Sequence, residues 1–104
     1  MTARIRFEDE ADVEYRQAGR WYESRRVGLG VEFFDAVDAA IRQLLDFPRA
    51  GAPVPRVPKD LPVRRLAVRR FPYHVVYLEM PEALRILAIA HDRRKPGYWK
   101  ERLR

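Results

Sequence analysis

The sequence contains no cysteine, only two histidines and only three lysines among its 104 residues. Without thiols, a disulfide scaffold and a cysteine-ligated metal site are excluded, and two histidines leave little with which to bind a metal ion. No apolar run approaches the roughly 18 to 20 residues that a membrane span requires. The N-terminal segment is charged where a signal peptide would be apolar, so we expect a cytoplasmic protein with neither metal nor other cofactor.

What is present is typical of one small globular domain. Hydrophobic residues make up 47% of the chain and charged residues 35%. A chain of this length buries enough of its surface to form a single core, and it is too short for two. We therefore predict one domain over residues 1–104, without internal repeats.

The positive charge is concentrated in the second half of the chain. Residues 1–52 contain 8 Arg and Lys against 10 acidic residues, whereas residues 53–104 contain 13 against 5, so the halves carry −2 and +8. Arginine predominates, and its planar guanidinium suits phosphate and carboxylate groups. The second half therefore favours an acidic or polyanionic partner. A GC-rich genome explains the ratio of arginine to lysine equally well, but it does not explain the asymmetry.

Hydrophobic periodicity predicts a strand followed by two helices in the first half of the chain. Residues 4–8 alternate between polar and apolar, which is typical of a strand with one buried face. Apolar side chains then recur at helical spacing in two segments, as Ala11, Tyr15, Ala18 and Tyr22 after Asp9, and as Phe34, Val37, Ile41 and Leu44 between Val31 and Asp46. Gly28 and Gly30 allow a tight junction, so we expect the two helices to lie antiparallel.

The second half of the chain predicts a loop, three strands and a short terminal helix. Residues 48–62 hold five of the eight prolines and are interpreted as a stiff surface loop. Strands are predicted within residues 63–70, 73–80 and 83–91, and a short helix after Pro96. This order predicts an α+β fold, in which a helical hairpin packs on one face of a small antiparallel sheet. We expect the other face of the sheet to be exposed.

Three blocks of sequence make the chain resemble a known family. They are the Trp21-Tyr22 pair before the helix junction, RFPYHVVY at residues 70–77 and AHDRRKPGYW at residues 90–99. In this order they resemble the RelE/ParE family of bacterial toxins from type II toxin-antitoxin modules. The resemblance implies a growth-inhibiting toxin whose cognate antitoxin wraps the helical hairpin and the sheet edge. Operator DNA would be contacted only through the antitoxin.

The family divides into two mechanisms, and the resemblance favours one of them. ParE-like members poison DNA gyrase, whereas RelE-like members cleave messenger RNA on the ribosome with lysines from the loop before the sheet, two arginines and a C-terminal tyrosine. In this chain the loop contains only Lys59, and His74 stands at the position of the arginine in the middle strand. The missing lysines favour a ParE-like toxin that acts by binding a protein target, DNA gyrase.

A ribosome-dependent RNA endonuclease is the alternative function. Such an enzyme needs a general base, a general acid and cations around the phosphorane. The residues that could supply these groups, if they converge, are His74, His91, Arg93 and Tyr98. Each histidine is also explained by a structural role, at the end of a strand or on its half-buried face.

Contacts with the antitoxin or the target are predicted for exposed basic and aromatic side chains. The candidates are Trp21, Arg65, Arg69, Arg93, Arg94, Lys95 and Trp99. Alternation places Arg65 and Arg69 on the same face of a predicted strand. The alternative interpretations are a solvated turn for residues 93–95 and, for Trp99, an anchor that holds the terminal helix to the core.

Overall fold

The computed structural model describes residues 4–58 and 60–103, and the loop residue Lys59 lies outside the described residues. The predicted α+β fold, with its helical hairpin and three C-terminal strands, is confirmed. In chain order the elements are β1 (Arg4–Phe7), α1 (Asp9–Arg25), α2 (Leu29–Asp46), β2 (Ala52–Pro53), β3 (Val63–Ala67), β4 (Tyr73–Glu79), β5 (Ala83–His91) and a 3₁₀ helix (Lys100–Leu103). Neither α1 nor α2 is apolar over the length that a membrane crossing requires.

The five strands form one sheet in the order β1-β5-β4-β3-β2. The pairs from β5 to β2 are antiparallel as predicted, but β1 lies parallel to β5, with Ile5 opposite Leu84. The sheet is therefore mixed, and the prediction of a wholly antiparallel sheet is wrong at this edge. The cause lies in β2, which the sequence analysis missed. This two-residue strand reverses the chain once more before β3, so that β5 returns in the direction of β1.

The two helices lie antiparallel and very close together. Two hydrogen bonds join them, one at their junction from the Gly30 backbone N–H to Glu23 Oε1 at 3.0 Å and one near their middle from the Tyr15 hydroxyl to Asp38 Oδ1 at 3.0 Å. A Cβ on Gly30 would lie 2.6 Å from the Gly19 carbonyl oxygen, so the close approach requires glycine there. Since Gly30 is helical, α2 begins two residues earlier than predicted.

Aromatic rings join the helical hairpin to one face of the sheet. Phe33 of α2 is fully buried, and its ring centroid lies 5.2 Å from that of Tyr22, 5.3 Å from that of Phe71 and 5.1 Å from that of Tyr73. These distances lie within the range of favourable ring pairs. The predicted apolar stripe of α2 faces the same core, since Val37, Ile41 and Leu44 are buried there.

The opposite face of the sheet is also covered, and the prediction that it is exposed is wrong. Side chains of β3, β4 and β5 on this face form a second apolar cluster beneath the proline-rich loop and the C-terminal segment. Its buried members are Val63, Val76, Leu78, Leu87, Ala88, Ala90 and Trp99. Val54, Val57 and Leu61 of the loop and Leu103 at the C-terminal end pack against them. Loop and terminus therefore form a third layer.

Tyr77 fixes the start of the proline-rich loop on the sheet. Its buried hydroxyl donates a hydrogen bond to the Pro48 carbonyl oxygen at 2.6 Å and accepts one from the Gly51 N–H at 3.0 Å. Burial raises the pKa of this hydroxyl, so it stays protonated and able to donate. Arg64 adds a hydrogen bond to the Gly51 carbonyl oxygen at 2.8 Å. The loop is thus held from the side of the helical hairpin.

We expect Tyr77→Phe to lower the free energy of unfolding by about 2 kcal/mol, because it leaves the buried Gly51 N–H without an acceptor. Urea unfolding followed by circular dichroism measures this loss. Tyr98→Phe is not a suitable control, because its hydroxyl is also bound, so we use Phe47→Leu on the exposed end of α2. A loss no greater than that of Phe47→Leu would show that water replaces the hydroxyl without cost.

Candidate functional site

A cleft of about 420 Å³ opens on the sheet face opposite the helical hairpin. Residues 54–56 of the proline-rich loop form one wall, and residues 91–92 and 94–100 at the C-terminal end form the other. The floor consists of Val76 from β4 and Ala90 from β5, and both side chains are buried. The third layer therefore does not close over the sheet completely, and the gap between its two segments is the cleft.

The cleft brings together seven of the ten residues that the sequence analysis singled out. They are Arg65, His74, His91, Arg94, Lys95, Tyr98 and Trp99. Arg65 and His74 reach it because β3 and β4 place alternate side chains on this face, opposite Val76 and Ala67 respectively. The others come from the chain that leaves β5. Arg93, Trp21 and Arg69 do not line the cleft.

The cleft is strongly basic. Among the described residues, five arginine and lysine side chains line it against one carboxylate, that of Asp92, and the cations are Arg56, Arg65, Arg94, Lys95 and Lys100. Within residues 4–58 and 60–103, none of these five forms an ion pair with a carboxylate. Arg85 and Arg102 outside the cleft differ, since they pair with Glu8 and Glu14 at 2.9 Å. The positive charge of the cleft is therefore uncompensated.

Both histidines of the cleft have structural partners. His74 Nδ1 lies 2.9 Å from Asp92 Oδ1, and its side chain is only 15% exposed. His91 Nδ1 accepts a hydrogen bond from the Arg93 backbone N–H at 3.0 Å, which places any proton of the neutral ring on Nε2. The His91 ring also meets the Tyr73 ring edge to face at 5.0 Å. These contacts hold the chain where it leaves β5.

The Tyr98 hydroxyl is bound on the inner side of the C-terminal segment by Glu14 of α1. It donates a hydrogen bond to Glu14 Oε2 at 2.7 Å. The same carboxylate accepts bonds from both terminal nitrogens of Arg102 at 2.9 and 3.0 Å and from the Ile89 N–H at 3.1 Å. Burial, followed by the bond to Glu14, raises the pKa of Tyr98. The hydroxyl is therefore a fixed donor and not a base at neutral pH.

Sequence reasoning missed Glu14 and Arg102. One signal for Glu14 was available, because it lies three residues after Ala11 and four before Ala18, both of which are buried on α1. An acid at that spacing shares the face of the two alanines and needs a counter-charge there. Nothing in the sequence near Arg102 indicates that it supplies this charge from 88 residues away.

Three predicted contact residues lie elsewhere. Trp21 is 52% exposed on α1, with the Arg25 guanidinium 4.7 Å from its ring centroid, and its contact with a partner stays a prediction. Arg69 follows the end of β3 at Ala67 and lies beside α2. The expectation that Arg65 and Arg69 share a face is therefore wrong. Arg93 is exposed, next to the cleft but outside it.

Trp99 has the structural role that was its alternative interpretation. Its side chain is 3% exposed and belongs to the second apolar cluster, where it holds the C-terminal segment to the sheet. It therefore offers almost no surface to a partner. The described part of the chain contains no group of three or more His, Asp or Glu side chains that could hold a metal ion.

Comparison with known proteins agrees with this fold. Residues 5–96 match the model of a family described as the ParE toxin of the type II toxin-antitoxin system, parDE. Because the match spans most of the chain, the protein belongs to the ParE toxin family. The resemblance inferred from the three sequence blocks is thereby confirmed.

One similar solved structure is described as the chromosomal ParDE TA system from P. aeruginosa. The two chains superpose with a TM-score of 0.68 and share 16% sequence identity, over 86% of this chain and 96% of that chain. At this identity the likeness shows a common fold. A search of curated proteins gives no match.

Proposed function

We propose that this ParE-family toxin inhibits growth by binding a protein target, DNA gyrase, and that a cognate antitoxin neutralises it. Membership of the family supports the toxin role, and the similarity to a structure described as a ParDE system supports a partner antitoxin. The gyrase target follows from the ParE-like character of the sequence. Its candidate contacts with antitoxin or target are the exposed Trp21 and the basic side chains Arg65, Arg69, Arg93, Arg94 and Lys95.

The observation that carries the choice against a ribonuclease is the state of Tyr98. Cleavage through the 2′-hydroxyl of RNA needs a base, an acid and cations that converge on one phosphate. The Tyr98 hydroxyl faces Glu14 at 2.7 Å instead, and the Arg93 side chain does not line the cleft. His74 and His91 both have structural partners at Nδ1, in Asp92 and in the Arg93 backbone N–H. Of the four candidate catalytic residues, this leaves the two histidines in the cleft without the tyrosine hydroxyl and the arginine that were to act with them.

Separate measurement of DNA and protein synthesis tests the proposed target. We expect induction without antitoxin to reduce thymidine incorporation before leucine incorporation, and purified protein to inhibit supercoiling by gyrase. Co-expression of the antitoxin should restore growth. As a control, the purified protein is incubated with ribosomes and messenger RNA, which should stay intact.

Two results would contradict the proposal. An early arrest of translation with cleaved messenger RNA would establish the nuclease alternative, and His74, His91, Arg93 and Tyr98 would then be replaced by alanine one at a time. Normal growth on induction, with folded protein present, would show a binding module that has lost its toxicity.

A further inference from the structure

We propose that the basic cleft between the proline-rich loop and the C-terminal segment binds the phosphodiester backbone of nucleic acid directly. This inference goes beyond the proposed function, because it requires neither gyrase nor antitoxin. It concerns a surface of the toxin itself.

The first argument is the amount of charge gathered in one place. The five cations of the cleft against Asp92 give it a charge of +4, out of +6 for the whole chain. Like charges brought together repel one another, and no carboxylate in the described part of the chain pairs with these five. Their arrangement therefore does not stabilise the fold, and a bound anion explains it.

The second argument is the way in which the cations are distributed. They come from three separate segments, with Arg56 on the loop, Arg65 on β3 and Arg94, Lys95 and Lys100 on the C-terminal segment. Two opposite walls of the cleft are therefore positive. A nucleic-acid strand, which carries a negative charge at every nucleotide, can lie between them. Phosphate oxygens are the groups that clustered Arg and Lys side chains contact most often in nucleic-acid complexes.

Asp92, the acidic residue of the cleft, is partly engaged by His74, which weakens its repulsion of a phosphodiester ligand. Asp92 Oδ1 lies 2.9 Å from His74 Nδ1 on the wall of the cleft. The imidazole can donate its Nδ1 proton to this carboxylate, which leaves less of the acceptor capacity of Asp92 facing the cleft. His74 thus has a defined part in the site without acting as a catalyst.

The aromatic residues indicate that the backbone of the nucleic acid is bound, and not its bases. The Arg94 guanidinium lies 3.9 Å from the centroid of the Tyr98 ring, and the Arg102 guanidinium lies 5.1 Å from it. Trp99 is buried. Since bases are held in single-stranded complexes by stacking on free aromatic faces, we expect binding that depends little on sequence.

The same surroundings argue against an acidic peptide as the ligand. Peptide segments gain affinity by placing apolar side chains in pockets beside their charged groups. The floor residues Val76 and Ala90 and the wall residue Trp99 are at most 3% exposed, and they belong to the second apolar cluster, against which Val54 and Val57 of the loop pack. These three side chains therefore offer almost no exposed surface to an anchoring side chain.

Fluorescence anisotropy with labelled nucleic acid tests the proposal on the purified full chain. The probes are a mixed-sequence duplex DNA and a mixed-sequence single-stranded RNA, each of about 20 nucleotides per strand, which exceeds the 4 to 16 nucleotides of typical single-strand sites. We expect dissociation constants of about 1 to 100 μM near physiological salt, weakening steeply as salt rises. If the cleft variants described below lose affinity for only one of the two probes, that probe identifies DNA or RNA as the ligand. If they lose affinity equally for both, the ligand is the backbone that DNA and RNA share.

Charge-matched variants separate the cleft from the overall charge of the protein. We expect R65Q/R94Q to weaken binding about tenfold and to reduce the slope of log K against log salt by about 2. The control R20Q/R42Q removes the same charge from exposed positions on α1 and α2 and should weaken binding about twofold at most. The pair K95Q/K100Q repeats the test without touching the Tyr98 ring, and thermal unfolding checks that each variant is folded.

Three results would overturn the proposal. If the cleft variants and the control variant lose affinity for the probes equally, the nucleic acid is attracted by the net charge of the protein alone. Absence of binding to both probes at low salt would exclude the site. If a poly-glutamate peptide of the same charge binds as tightly as the nucleic acids and loses affinity in the same cleft variants, the cleft recognises acidic protein segments instead.

Discussion

Replacing Glu14 by alanine is expected to lower the free energy of unfolding by about 3 kcal/mol, the lower end of the cost of removing one partner from a buried ion pair, because this pair is largely but not fully buried. Glu14 and Arg102 are only 15% and 13% exposed, and the carboxylate accepts four hydrogen bonds, from Tyr98, Ile89 and twice from Arg102. In the variant Arg102 keeps its charge and its bond to the Leu87 carbonyl oxygen but has lost its counter-ion. The C-terminal wall of the cleft loses its attachment to α1 as well.

Urea unfolding of the purified protein measures this effect, with Asp12→Ala as the matched control. Asp12 lies on the same helix and pairs with Arg16 at 2.8 Å, but the two side chains are 46% and 56% exposed. Exposed pairs of this kind contribute about 0.5 kcal/mol or less. If Glu14→Ala costs no more than Asp12→Ala, the bonds to Glu14 do not hold the terminus. Glu14→Gln, which keeps an acceptor but removes the charge, should fall between the two.

The helices could be predicted from the sequence because their core positions repeat at three and four residues, and Phe34, Val37, Ile41 and Leu44 indeed lie on the inner side of α2. The direction of β1 could not be predicted in this way. Alternation of Arg4, Ile5 and Arg6 gives the same pattern whether the neighbouring strand runs parallel or antiparallel. The direction of β1 relative to β5 depends on the number of chain reversals between the two strands. One of these reversals follows β2, and a strand of two residues is too short to show a detectable alternation of apolar and polar residues.

The second face of the sheet was mispredicted although the sequence carried a signal for it. Residues 84–90 are apolar at all positions but one, Arg85, so both faces of β5 require cover. The segments that pack on this face could not be identified from the sequence, because the proline-rich loop has no hydrophobic periodicity and contacts the sheet through separate residues such as Val54 and Val57. The position of the cleft is determined only by how the third layer packs on the sheet. The residues that line the cleft could therefore be singled out individually from the sequence, but their assembly into one site could not be predicted.

In the candidate site, too, features that depend on neighbouring residues in the sequence could be predicted, and contacts between residues far apart in the chain could not. Arg94 and Lys95, which line the cleft, could be singled out from the sequence because they form a basic run before a proline. Arg65 and His74 meet them only because β3 and β4 bring their alternate side chains to the same face. The bond between Tyr98 and Glu14 spans 84 residues of chain, and no local pattern predicts a contact at that distance.

Phe33→Ala is expected to be the most destabilising single substitution in the hydrophobic core, with a loss of about 3 to 5 kcal/mol in the free energy of unfolding. The Phe33 side chain is fully buried, and its ring lies within 5.3 Å, centroid to centroid, of rings from α1, from β4 and from the turn between β3 and β4. Its removal opens a cavity between the helical hairpin and the sheet. Small domains have a total stability of only about 5 to 15 kcal/mol, so this loss is a large share.

Chemical and thermal unfolding of Phe33→Ala and Phe47→Ala provide the comparison, because Phe47 is 66% exposed and its replacement should change stability by about 0.5 kcal/mol at most. For a domain of this size we expect the midpoint of Phe33→Ala to fall by about 15 °C or more. Phe33→Leu should recover roughly half of the loss, since it refills part of the cavity. If Phe33→Ala and Phe47→Ala unfold together, the stability of the protein does not depend on the aromatic contacts between the helical hairpin and the sheet.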